Sequence, residues 1–554
     1  MTAKTTAPIS ARQFAAIATA FAMLGACSKT PEPIAAPKPK TDAVVVAPNS
    51  PAAPANAAGL HPVDGIAWQK GDVDAAFVSA LAQNKPVFLY WGAVWCPPCN
   101  QVKATIFNRQ DFIERSRFFV PVYIDGDSAS AQRLGDRFKV SGYPTMILFK
   151  PDGSEITRLP GEVEVDQYMR VLAMGMNGAR PVKDTLAAAL TLDASAPALS
   201  ADDWRMLAYY SWDTDENRLV AAKALAPTLQ RLATACPGSQ PDTATRLRLR
   251  AWVAAATAKD AKPRDDKAAA AEIKRVLADE RLARENFDLL TYYGDKVVAY
   301  VTLPRSAART ELAARWDKAL ERFIADPGVS TADRLSALDG RVALAKLDAP
   351  KGAVPEALLQ SVRDQVARAD RETSDPYARQ SVISAAADTL SDADLMSASD
   401  ALLEAELKRS HSPYYFMLGL AANAKKRGDK AAALDWEQKA YTAADGPATR
   451  LQWGVHYVNA LIELAPQDDA RIEHAAKSVI GELDPTPDTF YERNRRALER
   501  MGGKLEAWNA RHRHDAALAR IQAQMDAVCA KLPSTDPARS TCDGVMRPAK
   551  GTSA

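Results

Sequence analysis

The stretch Val87-Phe88-Leu89-Tyr90-Trp91-Gly92-Ala93-Val94-Trp95-Cys96-Pro97-Pro98-Cys99-Asn100 constrains this chain more than any other. Its first half is apolar, aromatic and β-branched and reads as a buried strand, while the cysteine pair opens a helix. Two residues between the cysteines let the sulfurs meet across one helical turn, so a disulfide can form with little backbone movement. At a helix N-terminus the macrodipole and the unpaired N–H groups favour negative charge, which makes Cys96 the expected nucleophile. Cys99, one turn further in, is then the resolving thiol. Pro97 fits a first helical turn, but Pro98 removes an N–H that could have faced the thiolate, so the acidification of Cys96 is expected to be partial. Cys96 must also be reachable for such chemistry to proceed, and a structure that sealed the two sulfurs from solvent would count against catalysis.

Other uses of a C-x-x-C pair fit less well. Structural zinc needs four ligands, and no second pair or C-x-x-H follows at suitable spacing. As a purely structural staple so short a loop is weak, because the entropy removed from the unfolded chain grows with loop length. The six histidines are scattered; His512 and His514, two apart on an expected helix, point away from each other.

A second motif, Val140-Ser141-Gly142-Tyr143-Pro144-Thr145-Met146-Ile147-Leu148-Phe149, enters a strand through Gly-Tyr-Pro-Thr. Together with Trp95-Cys96-Pro97-Pro98-Cys99 it resembles the thioredoxin superfamily, whose cis-proline corner lies beside the dithiol. The nearest resemblance is to the soluble C-terminal domain of the transmembrane disulfide reductase, with counterparts for Phe107, Asp111-Phe112 and the Phe119 to Asp125 segment. It covers roughly Gly65 to Gly178. It implies that Trp95, Tyr143 and Pro144 contact substrate, and that the redox-active disulfide works without another cofactor. One departure stands out: the buried aspartate usual six residues before the first cysteine is Tyr90 here, and the lysine on the next strand aligns as Pro121. Neither is a base at neutral pH.

In chain order, residues 1–26 read as a secretory signal, with Lys4, Arg12 and a short apolar segment that ends Leu24-Gly25-Ala26-Cys27. This resembles a bacterial lipobox and implies lipidation at Cys27, with the outer membrane favoured. Residues 27–60 are rich in Pro and Ala and read as a tether. Residues 61–180 form the thioredoxin-like domain. Its expected helices are Asp72–Asn84, Pro97–Asn108, Gln110–Ser116, Ser128–Lys139 and Glu164–Met176, and its expected strands Lys85–Gly92, Phe118–Asp125, Thr145–Lys150 and Ser154–Leu159. Residues 184–532 turn to Ala, Leu, Arg and acidic residues and read as all-α, about 14 to 18 helices at ordinary lengths. Spacing from Tyr414 through Leu420-Ala421, Gly428-Asp429, Ala433, Trp436 and Ala440 is tetratricopeptide-like, so a solenoid-like repeat region is expected. Residues 533–554 read as a C-terminal tail.

Cys529 and Cys542 are a plausible structural disulfide in an oxidising compartment, and Cys236 is expected to be a buried thiol. A net charge of +2 with 25% charged residues gives no basic surplus for nucleic acid. The expectation is therefore a periplasmic, membrane-anchored thiol–disulfide oxidoreductase, a reductase or isomerase of protein disulfides, fed by a membrane disulfide reductase. The alternative is a lipoprotein adaptor or assembly factor in which the helical region binds protein partners and the redox domain is auxiliary.

Overall fold

A computed structural model describes residues 65–547 except 129, 141, 162–164, 179, 192–197, 216–218 and 349–353. The signal, the tether and Cys27 lie outside the described residues. Within them one five-stranded sheet runs β1-β3-β2-β4-β5, with β1 Gln69–Lys70, β2 Val87–Gly92, β3 Val120–Asp125, β4 Thr145–Phe149 and β5 Glu155–Leu159. β3 is parallel to β1 and β2, while β4 is antiparallel to β2 and β5. The helices of this domain are α1 Val73–Gln83, α2 Pro97–Val102, α3 Gln110–Arg115, α4 Ala131–Phe138 and α5 Val165–Asn177.

All six residues of β2 are buried, as its continuous apolar run implied, because both faces of the sheet are covered. Alternation then sorts the side chains. Val87, Leu89 and Trp91 pack with Val73, Ala76, Ala80 and Phe138 of α1 and α4. Phe88 and Tyr90 face Val102, Ile106 and Phe107 below the dithiol, and Tyr168 and Leu172 of α5.

Three local details differ from the expected elements. The dithiol helix is α-helical only to Val102 and continues as a π-turn over Lys103–Phe107, a geometry that widens the helix and is common near functional sites. The strand expected from Phe118 starts at Val120, because Ser116–Phe118 close a 3₁₀ turn. β1 is two residues long, too short to leave a periodic pattern in the sequence.

From Val182 to Cys529 the described residues form eighteen α-helices, and a further helix, Pro537–Val545, follows in the stretch read as a tail. A Cys529–Cys542 disulfide, Cα–Cα 5.6 Å, ties that helix back. The tetratricopeptide-spaced stretch folds as the hairpin Pro413–Arg427 and Lys430–Ala443. Gly428 turns it at φ 83°, and Asp429 caps the second helix by accepting from the Ala432 N–H.

The helical region grips the thioredoxin-like domain on two sides. On the β5 side Trp204, Leu207 and Tyr210 join the core of the sheet. There the wholly buried Arg158 donates from Nη1 to the Thr214 and Lys139 carbonyls, both at 2.9 Å, and from Nε to Glu155 at 3.0 Å. The chain then travels away and returns, and its last third packs over the end of the sheet where α2 begins.

Candidate active site

Cys96 is the N-cap of α2, and its sulfur accepts from the Cys99 N–H at 3.2 Å. The two cysteines form a disulfide with their Cα atoms 5.2 Å apart. Buried Asn100 fixes the approach to the helix by donating through Nδ2 to the Val94 carbonyl at 2.8 Å and the Cys96 carbonyl at 2.9 Å. The Tyr143–Pro144 peptide is cis. Trp95 meets the Tyr143 ring edge to face at 6.2 Å, so the two sequence motifs converge around the dithiol.

Beneath the dithiol helix lies a buried polar group that the sequence reading did not assemble. Tyr90 and Tyr123 are register partners on β2 and β3 with rings 5.5 Å apart, and Gly92 pairs with Asp125 two residues further on. The Tyr90 hydroxyl folds over Gly92, where a Cβ would lie 2.6 Å from it, so this strand end has room only for glycine. Lys103, one turn after Cys99, is 8% exposed and its Nζ makes no hydrogen bond within the protein. Burial pulls its pKa down to about 7, against the opposing charge of Asp125. Burial likewise raises the carboxyl of Asp125. Tyr90 stands where the resemblance places an acid, and Lys103, with Asp125 as its opposing charge, supplies a buried group that titrates near neutrality.

The expected open sulfur is not what the structure shows. Cys96 is 2% exposed and Cys99 0%, and both belong to the apolar core of the C-terminal helices. The cover is built on Trp95. Its ring stacks on Tyr415 at 5.9 Å and meets Trp453 edge to face at 4.9 Å. Its Nε1–H donates to Thr449 Oγ1 at 2.8 Å, and Thr449 in turn donates to Asp127, from Oγ1 at 2.5 Å and from its backbone N–H at 2.7 Å. Gln380 donates to the Trp95 carbonyl at 3.0 Å, His411 Nε2 lies 3.2 Å from the Val94 carbonyl, and Gln101 donates to Asp333 at 2.7 Å. The Arg493 guanidinium sits 4.5 Å from the Tyr143 ring centre and 5.7 Å from that of Trp95. Trp95 and Tyr143 therefore touch the chain's own helices.

Of the remaining cysteines, Cys236 is free and buried, with its thiol pKa pushed up by burial. No helix among the described residues is long and apolar enough to cross a membrane.

The fold and the paired cysteines define a thiol–disulfide oxidoreductase domain of the thioredoxin type. A family model of the thioredoxin-like domain matches residues 73–175. A thioredoxin of Mycobacterium bovis is 34% identical over 89 residues, 16% of this chain and 72% of that protein, and the chain belongs to the thioredoxin family through this domain. A thiol:disulfide interchange protein DsbD of Pseudomonas fluorescens is 30% identical over 120 residues, 21% of each chain, and one of Yersinia pestis is 31% identical over 100 residues, 17% of each. The chain thus spans about a fifth of the length of these DsbD relatives. The solution structure of a Thermus thermophilus thioredoxin aligns with TM-score 0.19 and 23% identity over 20% of this chain and 85% of that one.

Proposed function

We propose that the whole chain is an envelope thiol–disulfide oxidoreductase that reduces or isomerises protein disulfides, its helical region facing the protein partners. The observation that carries this reading is the Cys96–Cys99 disulfide at the N-terminus of α2, beside the Tyr143–Pro144 corner. In the reduced enzyme the Cys96 thiolate attacks a substrate disulfide. The substrate S–S bond breaks, a Cys96–substrate disulfide forms, and the departing substrate sulfur takes a proton. Cys99, as thiolate, then attacks Cys96 Sγ, which closes the Cys96–Cys99 bond and releases the second substrate thiol. The substrate gains two electrons and the enzyme loses two; a dithiol donor, in this reading a membrane disulfide reductase, restores them.

Resolution requires that Cys99 lose its proton. Lys103 suits that task, being buried one turn away on the same helix, unbonded, and neutral in a large share of molecules at pH 7. No histidine lies between the cysteines to stabilise the thiolate, which favours reducing or isomerising use over strong oxidation. Lipidation of Cys27 would hold the enzyme at the periplasmic face of a membrane, the outer one favoured, and incorporation of labelled fatty acid that Cys27→Ala abolishes would establish it.

Trapping tests the reading: full-length Cys99→Ala should accumulate mixed disulfides between Cys96 and envelope proteins, and Cys96→Ser should accumulate none. Equal recovery from both variants would refute it. The covered sulfur favours a second reading, an adaptor whose helical region binds partners while the dithiol is auxiliary. That reading requires Cys96→Ser cells to be indistinguishable from wild type while loss of the whole protein gives a phenotype.

A further inference from the structure

We propose that the helical region is a latched cover over the redox site, released at the N-terminal end of its Pro447–Leu464 helix to admit a protein substrate to Cys96. This rests on the oxidoreductase reading and adds how access is controlled. Exchange needs a third sulfur to reach Cys96 Sγ, and at 2% exposure there is no approach for one.

The two sides of the grip differ in kind. On the β5 side Arg158, wholly buried, donates to carbonyls of both parts and to Glu155, while the Ser211 N–H donates to the Arg158 carbonyl at 3.0 Å. Breaking that side would strand a buried guanidinium. The active face is held instead by hydrogen bonds and aromatic contacts around Trp95 and, at its rim, by the half-exposed Arg133 paired with Asp488 at 2.5 Å and Asp536 at 3.3 Å, where solvent screens the charges. No buried guanidinium would be stranded there as Arg158 would be, and such an interface can open between domains.

At its centre is a helix cap borrowed across the interface. The Pro447–Leu464 helix begins at Gly446, which has no side chain to cap it and sits at φ 85°. The Asp127 carboxylate, from the loop after β3, takes that place by accepting from the N–H and hydroxyl of Thr449, the third helical residue. Only glycine permits the approach: a Cβ on Gly446 would lie 2.6 Å from Asp127 Cγ. Because Thr449 also accepts the Trp95 indole N–H, release of the helix end frees the residue preceding Cys96. Tyr415, Trp453 and Arg493 on the cover now occupy the faces of Trp95 and Tyr143 that a substrate chain would use, so cover and substrate compete for one surface.

The test compares alkylation of Cys96 by iodoacetamide, read by peptide mass, in reduced full-length wild type, Gly446→Ala and Thr449→Val. Gly446→Ala forces the latch apart; Thr449→Val keeps the side-chain shape and removes both side-chain hydrogen bonds, so it tests the latch even if the alanine variant folds poorly. Wild type should react far more slowly than the urea-unfolded chain; Gly446→Ala should react about tenfold faster than wild type, as loss of the helix cap implies, and Thr449→Val, which keeps the backbone bond to Asp127 but loses both side-chain bonds, also about tenfold faster. Wild-type Cys96 reacting as fast as in the unfolded chain, or both variants reacting at the wild-type rate, would overturn the proposal. Variants whose Cys96 becomes reactive towards iodoacetamide yet does not reduce insulin would uphold the cover and sink the oxidoreductase reading instead.

Discussion

Lys103 and Asp127 are buried titrating groups whose charge bears on opposite halves of the work, release of product and access to the sulfur. Burial brings Lys103 down to about 7, so its neutral, proton-accepting form grows as pH rises through that value. Release of a preformed Cys96 mixed disulfide should follow the same rise. In Lys103→Met it should be slower by on the order of 10- to 100-fold at pH 7, with the gap closing towards pH 9 as solvent base takes over. The first attack by Cys96 should keep its rate, a split that stopped-flow measurement of the two steps would resolve.

Asp127 titrates with the opposite consequence. Burial outweighs its hydrogen bonds from Thr449 and raises its pKa to about 6, with Asp125 adding to the rise and Arg493 opposing it. The Tyr143 and Tyr414 hydroxyls nearby stay neutral because burial raises them as well. An acid whose pKa is higher in the closed form than when freed stabilises that form at low pH, and the contribution fades as pH rises through about 6. Alkylation of Cys96, corrected for thiolate fraction, should therefore be faster at pH 7.5 than at pH 5. In Asp127→Asn that excess should vanish.

Among the elements, the central strand and the dithiol helix were legible because their signals are local. A continuous apolar run can bury itself only in a covered sheet, and a cysteine pair opening a helix has few other uses. The Tyr143–Pro144 corner was legible only through its resemblance to the thioredoxin superfamily's proline corner. The π-turn was not, since Lys103–Phe107 carries no proline or glycine to mark it. Trp95 and Thr449 lie 354 residues apart, and no periodicity within either segment says that one will cover the other. The apolar residues of the returning helices announced a buried face without naming what it buries.

The C-terminal helix offers an independent check at this scale. Cys529 and Cys542, 13 residues apart, fasten Pro537–Val545 onto the preceding helix, and a Cβ placed on Gly502 of the Glu492–His512 helix would overlap the Val545 carbonyl oxygen. Replacing both cysteines by serine should cost about 2–3 kcal/mol, the loop-closure value for a loop of this size. The thermal midpoint should fall under oxidising conditions, and the difference from wild type should disappear once wild type is reduced.

On the scale of the whole molecule, a small redox domain is held between the first and last parts of one long helical region, fixed at β5 and closed over Cys96. Neither part of that arrangement follows from the thioredoxin fold alone. It makes reactivity a property of the full chain, set by how firmly the helices sit as well as by the sulfur's own acidity. The most direct measurement equilibrates full-length protein in glutathione buffers of graded ratio, quenches with acid and reads the Cys96–Cys99 peptide by mass. A working dithiol passes through one reversible two-electron transition at native temperature, with Cys529–Cys542 unchanged, and reaches equilibrium faster in Gly446→Ala. A Cys96–Cys99 bond that stays closed at every ratio in both proteins, opening only when the chain unfolds, would mark it as a structural staple and contradict the reading of this chain as a thiol–disulfide oxidoreductase.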